Sequence, residues 1–357
     1  MGVIHFATGM RAVLAIPMKR LTAIWIPVAA LLWSTAIVLA INFVVLVFRR
    51  HSDALLFDFN VYWAGARDFV ERDLYRAPLM LVGHHLPIGW FNYPPLAAAV
   101  VAPLLPFGRE SAGLVFMVAS SAGLGLGLQL SFLTLDPRRP WLWAGLLFAG
   151  YFLLWPYAAG ELAVANNSQL VFLLVAGFAA AHASAQQRLA GVLLAMATGM
   201  KLWPIVLILL IARERRWTEL RWGLGGMAVQ AVVFLAWLGP DVVGPMASAI
   251  LGQNVAHPDA GNVAVLWTTW ARTSWAWWPM WGTYVVAGAL LAIPATGRLG
   301  LGLGLLGGLS LNANLWHHYA PFFLLAFALM IAAVVATVRQ RHEGVDVFGR
   351  ERVGRLG

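Results

Sequence analysis

Long stretches without a charged residue constrain this chain more than any other feature of its sequence. Residues 21–48 contain no Asp, Glu, Lys or Arg, and this run exceeds the roughly 20 apolar residues that a helix needs to cross about 30 Å of hydrocarbon. Hydrophobic residues make up 61% of the chain and charged residues only 11%, whereas about a quarter of the residues in a soluble protein are charged. The sequence therefore predicts an all-α, polytopic membrane protein.

Further apolar runs follow, and short charged loops separate most of them. They cover residues 94–107, 111–135, 141–158, 168–184, 189–212, 222–238, 280–297, 299–313 and 319–338. An even number of crossings, which two cytoplasmic ends require, results if two of these runs break, one near Ser120 and one near Pro204. Proline supports the second break, because it removes a helix hydrogen bond and clashes with the preceding turn. About twelve transmembrane or re-entrant helices result.

The predicted domain organisation follows from these runs. A single transmembrane domain covers residues 21–338, after an N-terminal segment at 1–20 and before a basic tail at 339–357. Two longer polar loops, 49–93 and 239–279, interrupt it.

The positions of the basic residues predict the orientation, since cytoplasmic loops carry an excess of Lys and Arg. Basic residues without acidic ones precede residue 21, and the C-terminal tail is rich in arginine. Both ends are therefore expected in the cytoplasm and both long loops outside. The twelve-segment arrangement also places further arginines inside, namely Arg109, Arg138, Arg139, Arg188, Arg213, Arg215, Arg216, Arg221 and Arg298.

The net charge of +9 follows from this bias and does not indicate a nucleic-acid partner, because the basic residues are scattered in short loops rather than gathered on one face. The chain has no cysteine, so disulfides and thiolate metal sites are excluded.

The first outer loop has the pattern of an amphipathic helix that lies in the membrane interface. Its apolar residues recur every three or four positions, and its charged residues fall on the opposite side. The apolar residues are Tyr62, Ala66, Phe69 and Val70, and the charged residues are Arg67, Asp68, Glu71 and Arg72. Asp58 is expected just before the first turn of this helix.

Asp58 is an isolated carboxylate among aromatic residues. On one interpretation it caps the helix, or Asn60 does and Asp58 is a solvated bystander. On the other it is a general base, and neighbours such as Phe59 and Trp63 exclude water and raise its basicity.

Lys201 lies between two apolar stretches at the expected break before Pro204. A lysine in such a place either extends to the interface or neutralises an anion in a cavity. At a helix break the ammonium faces a pocket lined by irregular backbone, where it could bind an anion such as a phosphate.

Trp316, His317, His318 and Tyr319 end a short apolar stretch on the same outer face. Adjacent histidines point in different directions on a helix, and the i, i+4 spacing of zinc helices is absent. We therefore expect no metal here. One histidine is expected to donate a hydrogen bond to a phosphate or a sugar hydroxyl, and the other to cap or pack.

Four segments, taken in order, resemble the GT-C glycosyltransferases of family 87, which include polyprenyl-phosphate-mannose-dependent mannosyltransferases. The segments are Asp58-Phe59-Asn60-Val61-Tyr62-Trp63 followed by Leu74-Tyr75, then Phe91-Asn92-Tyr93-Pro94-Pro95-Leu96, Lys201-Leu202-Trp203-Pro204 and Trp316-His317-His318-Tyr319. One departure is Asn166-Asn167-Ser168-Gln169, which keeps the amides of a Gly-Gln-x-Asn-like element in another order.

The resemblance implies a GT-C fold and an inverting transfer of a monosaccharide, mannose first, from a polyprenyl-phosphate carrier to a glycolipid or glycan acceptor. The reaction would take place at the outer face of a bacterial cytoplasmic membrane, without a cofactor, since a lipid phosphate leaves already charged. Asp58 would be the catalytic base, and Lys201, His317 and His318 would bind the donor phosphate. Sugar or acceptor contacts would come from Tyr62, Trp63, Tyr93, Asn166, Asn167, Gln169 and Trp316.

A secondary transporter or a flippase for lipid-linked sugars is the alternative function, because many helices with midplane breaks suit alternating access. Such transporters usually place acidic residues within the bilayer, and here acidic residues occur only near the outer ends of the predicted spans.

Overall fold

A computed structural model describes residues 56–76, 79–80, 87–89, 91–135, 165–252, 277–311 and 319–342. The segment 1–20, the first apolar run, most of the second outer loop and the tail beyond residue 342 lie outside this part. The described residues are almost entirely helical, as predicted. One small hairpin is the exception, in which Leu79–Met80 (β1) pairs antiparallel with Pro87–Gly89 (β2).

Eleven α-helices lie within the described ranges. In chain order they are α1 Phe57–Val70, α2 Pro95–Ala99, α3 Arg109–Leu135, α4 Ser168–Ala183, α5 Gln187–Met200, α6 Leu207–Arg213, α7 Trp217–Leu238, α8 Val243–Gly252, α9 Trp277–Ala292, α10 Gly297–Ser310 and α11 Ala320–His342. Short 3-10 helices are also present at Ala102–Phe107, Trp203–Val206 and Pro240–Val242.

Three stretches in the described part are long and apolar enough to cross a membrane. They are Arg109–Leu128 in α3, Trp217–Leu238 in α7 and Ala320–Val338 in α11. The membrane character of the chain is therefore confirmed. The total number of spans includes residues outside the described ranges and stays a prediction.

The helix predicted in the first outer loop is present as α1. Tyr62 and Ala66 are fully buried, while Glu71 and Arg72 just beyond the helix are exposed. The interpretation of Asp58 or Asn60 as a helix cap is wrong, because Asp58 lies inside the first turn and the N-cap residue is Leu56, which makes no side-chain cap hydrogen bond. The position of α1 at a membrane surface stays a prediction.

The break predicted near Ser120 is wrong, since α3 is one continuous helix. Its small residues form a packing surface against α4. A Cβ atom on Gly127 would lie 2.7 Å from a ring carbon of Phe172, and one on Gly123 would lie 3.1 Å from Leu170. The glycines therefore allow two helices to approach closely.

The apolar segment 94–107 folds as α2 and a 3-10 helix beside α1. It follows Tyr93, whose ring lies 5.0 Å from that of Tyr62, and it leads into α3, where Phe116 lies 5.4 Å from Phe59. The chain therefore contacts α1 just before this segment and again after it, in α3. Arg109 begins α3 at the end where α1 packs, while the other end of this helix contacts Arg298. The placement of Arg109 on the inner side stays a prediction.

The break predicted at Lys201 is confirmed. Helix α5 ends at Met200, Lys201 has extended backbone, and Pro204 lies in the 3-10 helix that precedes α6. The glycines of α10 pack against this irregular segment. A Cβ atom on Gly308 would lie 2.6 Å from Val206 and 2.9 Å from Trp203, so a larger residue would push α10 away from the break.

The other end of the helices is held by arginines. Arg213 donates to the carbonyl oxygens of Leu291 and Ile293, where α9 ends, at 2.6 Å each. Arg216 donates to the carbonyl oxygen of His182 at 2.6 Å. Cations at helix C-termini satisfy the last carbonyl groups and oppose the helix dipole.

Replacement of Gly191 by alanine tests the packing of α5 on α7. The added Cβ atom would lie 2.5 Å from the carbonyl oxygen of Glu219 and 2.7 Å from the amide nitrogen of Gly223, and backbone atoms yield little. We expect Gly191→Ala to lower the free energy of unfolding by about 1–3 kcal/mol, measured as a lower melting temperature in detergent.

The control is Gly225→Ala in α7, where nothing lies within 4 Å of the new Cβ atom. Its better helix propensity should stabilise the protein by up to about 1 kcal/mol. Equal melting temperatures for the two variants would contradict the described packing.

Candidate active site

Asp58 and Asn166 are joined by a hydrogen bond that connects the first turn of α1 to the start of α4. The side-chain amide of Asn166 donates to Oδ2 of Asp58 at 2.7 Å. Asp58 is partly buried and Asn166 is only 1% exposed. Because 108 positions separate the two residues, the fold itself brings them together.

Lys201 is buried on the other side of Asn166. Its ammonium donates to Oγ of Ser168 at 2.7 Å and reaches Oδ1 of Asn166 and the hydroxyl of Tyr319 at 3.5 Å each. It also lies 4.7 Å from the ring centre of Tyr319 and 5.6 Å from that of Tyr93. Polar atoms and aromatic faces thus replace the water that a buried cation has lost.

The carboxylate of Asp58 and the ammonium of Lys201 are therefore connected through one amide side chain. The sequence assigned both to chemistry, and the structure brings them together at one end of the helices. Ser168 and Tyr319 complete the surroundings of the ammonium, and neither one was among the predicted site residues. Each stands beside a predicted site residue, and that adjacency was the available signal.

Tyrosine side chains pack beside Asp58 and Asn167 and hold this part of the site in place. Tyr62 is fully buried, its hydroxyl accepts from the backbone N–H of Asn167 at 3.4 Å, and it hydrogen-bonds with Tyr93. Tyr75 in turn donates to the carbonyl oxygen of Tyr93. Burial, with Tyr93 and Asp58 adding to it, raises the pKa of Tyr62 well above its usual value, so Tyr62 stays neutral and acts as a support.

The N-terminus of α4 lies in the same place. Asn167, its N-cap residue, is 1% exposed, and neither polar atom of its side chain has a hydrogen-bond partner among the described residues. The Oε1 atom of Gln169, the second residue of α4, is likewise buried without a partner there. Buried polar groups normally have partners, so these amide atoms, which have none among the described residues, are candidates for contact with a ligand.

The remaining predicted site residues are placed differently. Trp63 packs in the apolar core 5.9 Å from Phe59, so its assignment to sugar contact stays a prediction. Trp316, His317 and His318 lie outside the described ranges. No cluster of three or more metal-binding side chains occurs among the residues that the structure describes.

Comparison with known proteins gives one finding. A family model described as glycosyltransferase family 87 matches residues 90–313, which is more than half of the chain. The match includes Tyr93, Asn166 and Lys201 and begins after Asp58. No curated protein matches the chain.

Replacement of Tyr62 by phenylalanine tests the tyrosine support. The variant keeps the ring and removes the hydroxyl that holds Asn167 and Tyr93. We expect a loss of about 1 kcal/mol in the free energy of unfolding, whereas Tyr62→Ala should lose about 3–5 kcal/mol because it also leaves a cavity. Melting temperatures in detergent would compare the variants, and an unchanged value for Tyr62→Phe would mean that the hydroxyl contributes nothing.

Proposed function

Since the chain belongs to glycosyltransferase family 87, we propose that it transfers a monosaccharide, mannose first, from a polyprenyl-phosphate carrier to an acceptor hydroxyl. The observation that carries this proposal is the connection from Asp58 through Asn166 to Lys201. A carboxylate and an ammonium on the two sides of one amide provide a base for the attacking group and a cation for the leaving group.

Asp58 is the base in this proposal. The acceptor oxygen forms a bond to the anomeric carbon while the bond from that carbon to the phosphate oxygen breaks, and the hydroxyl proton passes to Asp58. One displacement of this kind inverts the configuration at the anomeric carbon. Phe59 and Tyr62, which follow Asp58 in α1 and are fully buried, would limit the access of water, which otherwise competes as acceptor.

The leaving phosphate takes the electron pair and needs positive charge beside it. Lys201 supplies an ammonium. The N-terminus of α4 adds the positive end of a helix dipole, and the amide of Asn167 adds an N–H donor that has no partner among the described residues. His317 and His318 are further candidates for this phosphate, as the sequence predicts.

Sugar or acceptor hydroxyl groups require donors and acceptors in fixed places. Asn167 and Gln169 offer buried amide atoms, and Tyr93 lies between Tyr62 and Lys201. Buried amide atoms that have no partner in the described part of the chain favour a ligand with hydroxyl groups over an apolar one, since such a ligand satisfies them. Trp63 and Trp316 remain candidates for contact with the sugar or the acceptor.

The orientation is part of the proposal. The end of the helices opposite to Asp58 carries Arg213, Arg216 and Arg298, among others. By the positive-inside rule that end faces the cytoplasm. The site would then open at the outer face of a bacterial cytoplasmic membrane, where a polyprenyl-phosphate sugar and a glycolipid or glycan acceptor meet.

The variant Asp58→Asn tests the base. It keeps the shape of the side chain and removes its ability to accept a proton, so we expect the transfer rate to fall by about 10²–10⁴-fold. Purified protein would be assayed with polyprenyl-phosphate-mannose and a panel of glycolipid acceptors. Asp241→Asn is the matched control, because Asp241 is exposed and paired with Arg76, and it should retain turnover. Near-normal turnover of Asp58→Asn would remove the base assignment.

The variant Lys201→Ala tests the phosphate contact. Loss of a charge-assisted hydrogen bond is worth about 1.5–3 kcal/mol, so we expect donor affinity to fall roughly 10- to 150-fold. Lys201→Arg keeps the charge and should lose less. Unchanged donor affinity in Lys201→Ala, measured by binding of polyprenyl phosphate, would show that the ammonium has only a structural role.

A further inference from the structure

Asn166 occupies the centre of the site and uses both ends of its amide. Its Nδ2 donates to Asp58 at 2.7 Å, and its Oδ1 accepts from the backbone N–H of Ser168 at 2.8 Å. The same oxygen lies 3.5 Å from the ammonium of Lys201. The side chain is 1% exposed, and both of its polar atoms are engaged within the protein.

Only one orientation of this amide satisfies its surroundings. A flip by half a turn would set Oδ1 against the carboxylate of Asp58 and the NH₂ group against two donors, the N–H of Ser168 and the ammonium of Lys201. Acceptor would then face acceptor and donor would face donor. The orientation is therefore fixed by the groups on both sides.

We propose that Asn166 is the positioning residue of the site, which holds the carboxylate of Asp58 and the ammonium of Lys201 in their working geometry, and is not a direct sugar contact. The inference rests on the proposed function. It replaces the sugar or acceptor contact that the sequence assigned to Asn166, since its amide is already occupied by protein groups.

Two consequences distinguish a positioning residue from a sugar contact. A hydrogen bond donated to a carboxylate favours its ionised form, so loss of this bond raises the pKa of Asp58. Because the base works only when ionised, activity would then disappear at a higher pH as the solution is acidified. Loss of a sugar contact would instead raise KM and leave the pH profile unchanged.

Among the residues that the structure describes, the other titratable groups gathered near Asp58 are Tyr62 on its own helix, Tyr93, Lys201 and Tyr319. Tyr62 is buried and its pKa is raised far above the acidic range. Asp58 is the carboxylate that Asn166 contacts, so a shift of the acidic limb between the Asn166 variants and the unchanged protein reports this group.

The test compares Asn166→Asp and Asn166→Ala with the unchanged protein. Asn166→Asp has the same size and replaces the donor with a second carboxylate, so it needs no repacking even if the alanine variant is poorly folded. With polyprenyl-phosphate-mannose as donor, kcat should fall at least tenfold in both variants. The acidic limb of kcat should move up by about one pH unit, and further in Asn166→Asp because like charges oppose ionisation.

Asn167→Ala is the matched control, because Asn167 is the adjacent residue and is equally buried. It should change KM and leave the acidic limb in place. If Asn166→Asp and Asn166→Ala also raise KM without a shift of the limb, Asn166 is a substrate contact and the inference is wrong.

The outcome is separable from the proposed function. If Asp58→Asn retains turnover, Asp58 is not the base and the proposed function is wrong, whatever the result for the Asn166 variants. Loss of turnover in Asp58→Asn together with an unshifted limb in Asn166→Asp removes only the positioning role.

Discussion

The ammonium of Lys201 is buried, and a buried charge is stable only where polar groups replace the water around it. Much of the surrounding structure meets this requirement. Helix α5 ends at Met200, so the lysine lies at a break and not inside a helix. Ser168 at the start of α4 accepts a hydrogen bond from the ammonium at 2.7 Å, and Tyr319 before α11 provides an aromatic face. The ammonium of Lys201 thus lies where three separate parts of the chain meet: the break after α5, the start of α4 and the residue before α11.

The same arrangement gives the two ends of the molecule different chemistry. At one end a carboxylate, an ammonium and buried amides converge around α1 and α4. At the other end arginines satisfy backbone carbonyl groups, as Arg298 does for Thr134 at 3.0 Å. Helix α4 runs between the two, from Asn167 at its N-cap to His182 near its C-terminus. In a chain that crosses a membrane, the arginines at one end favour the cytoplasmic side. The end with Asp58 and Lys201 would then face the outer side.

The sequence predicted those parts of the structure that depend on local pattern. Apolar runs identified helices, and the Lys-Leu-Trp-Pro segment identified the break at Lys201. The sequence failed near Ser120, where it suggested a break, because α3 is one continuous helix whose glycines pack against α4. The sequence predicted the site in part, because Asp58 and Lys201 stand out as isolated charges. The bridging role of Asn166 depends instead on contacts across 108 and 35 positions. No local signal contains such contacts.

The central claim is that Asp58 and Lys201 act on one substrate from two sides of Asn166. The most direct measurement is a cryo-electron microscopy structure of the protein in lipid nanodiscs with a non-cleavable polyprenyl-phosphonate analogue of the sugar donor. The account predicts density for the phosphonate beside Lys201 and the N-terminus of α4, with the sugar extending toward Asp58. Phosphonate density among the arginines at the opposite end, or on a surface walled off from Asp58, would contradict it.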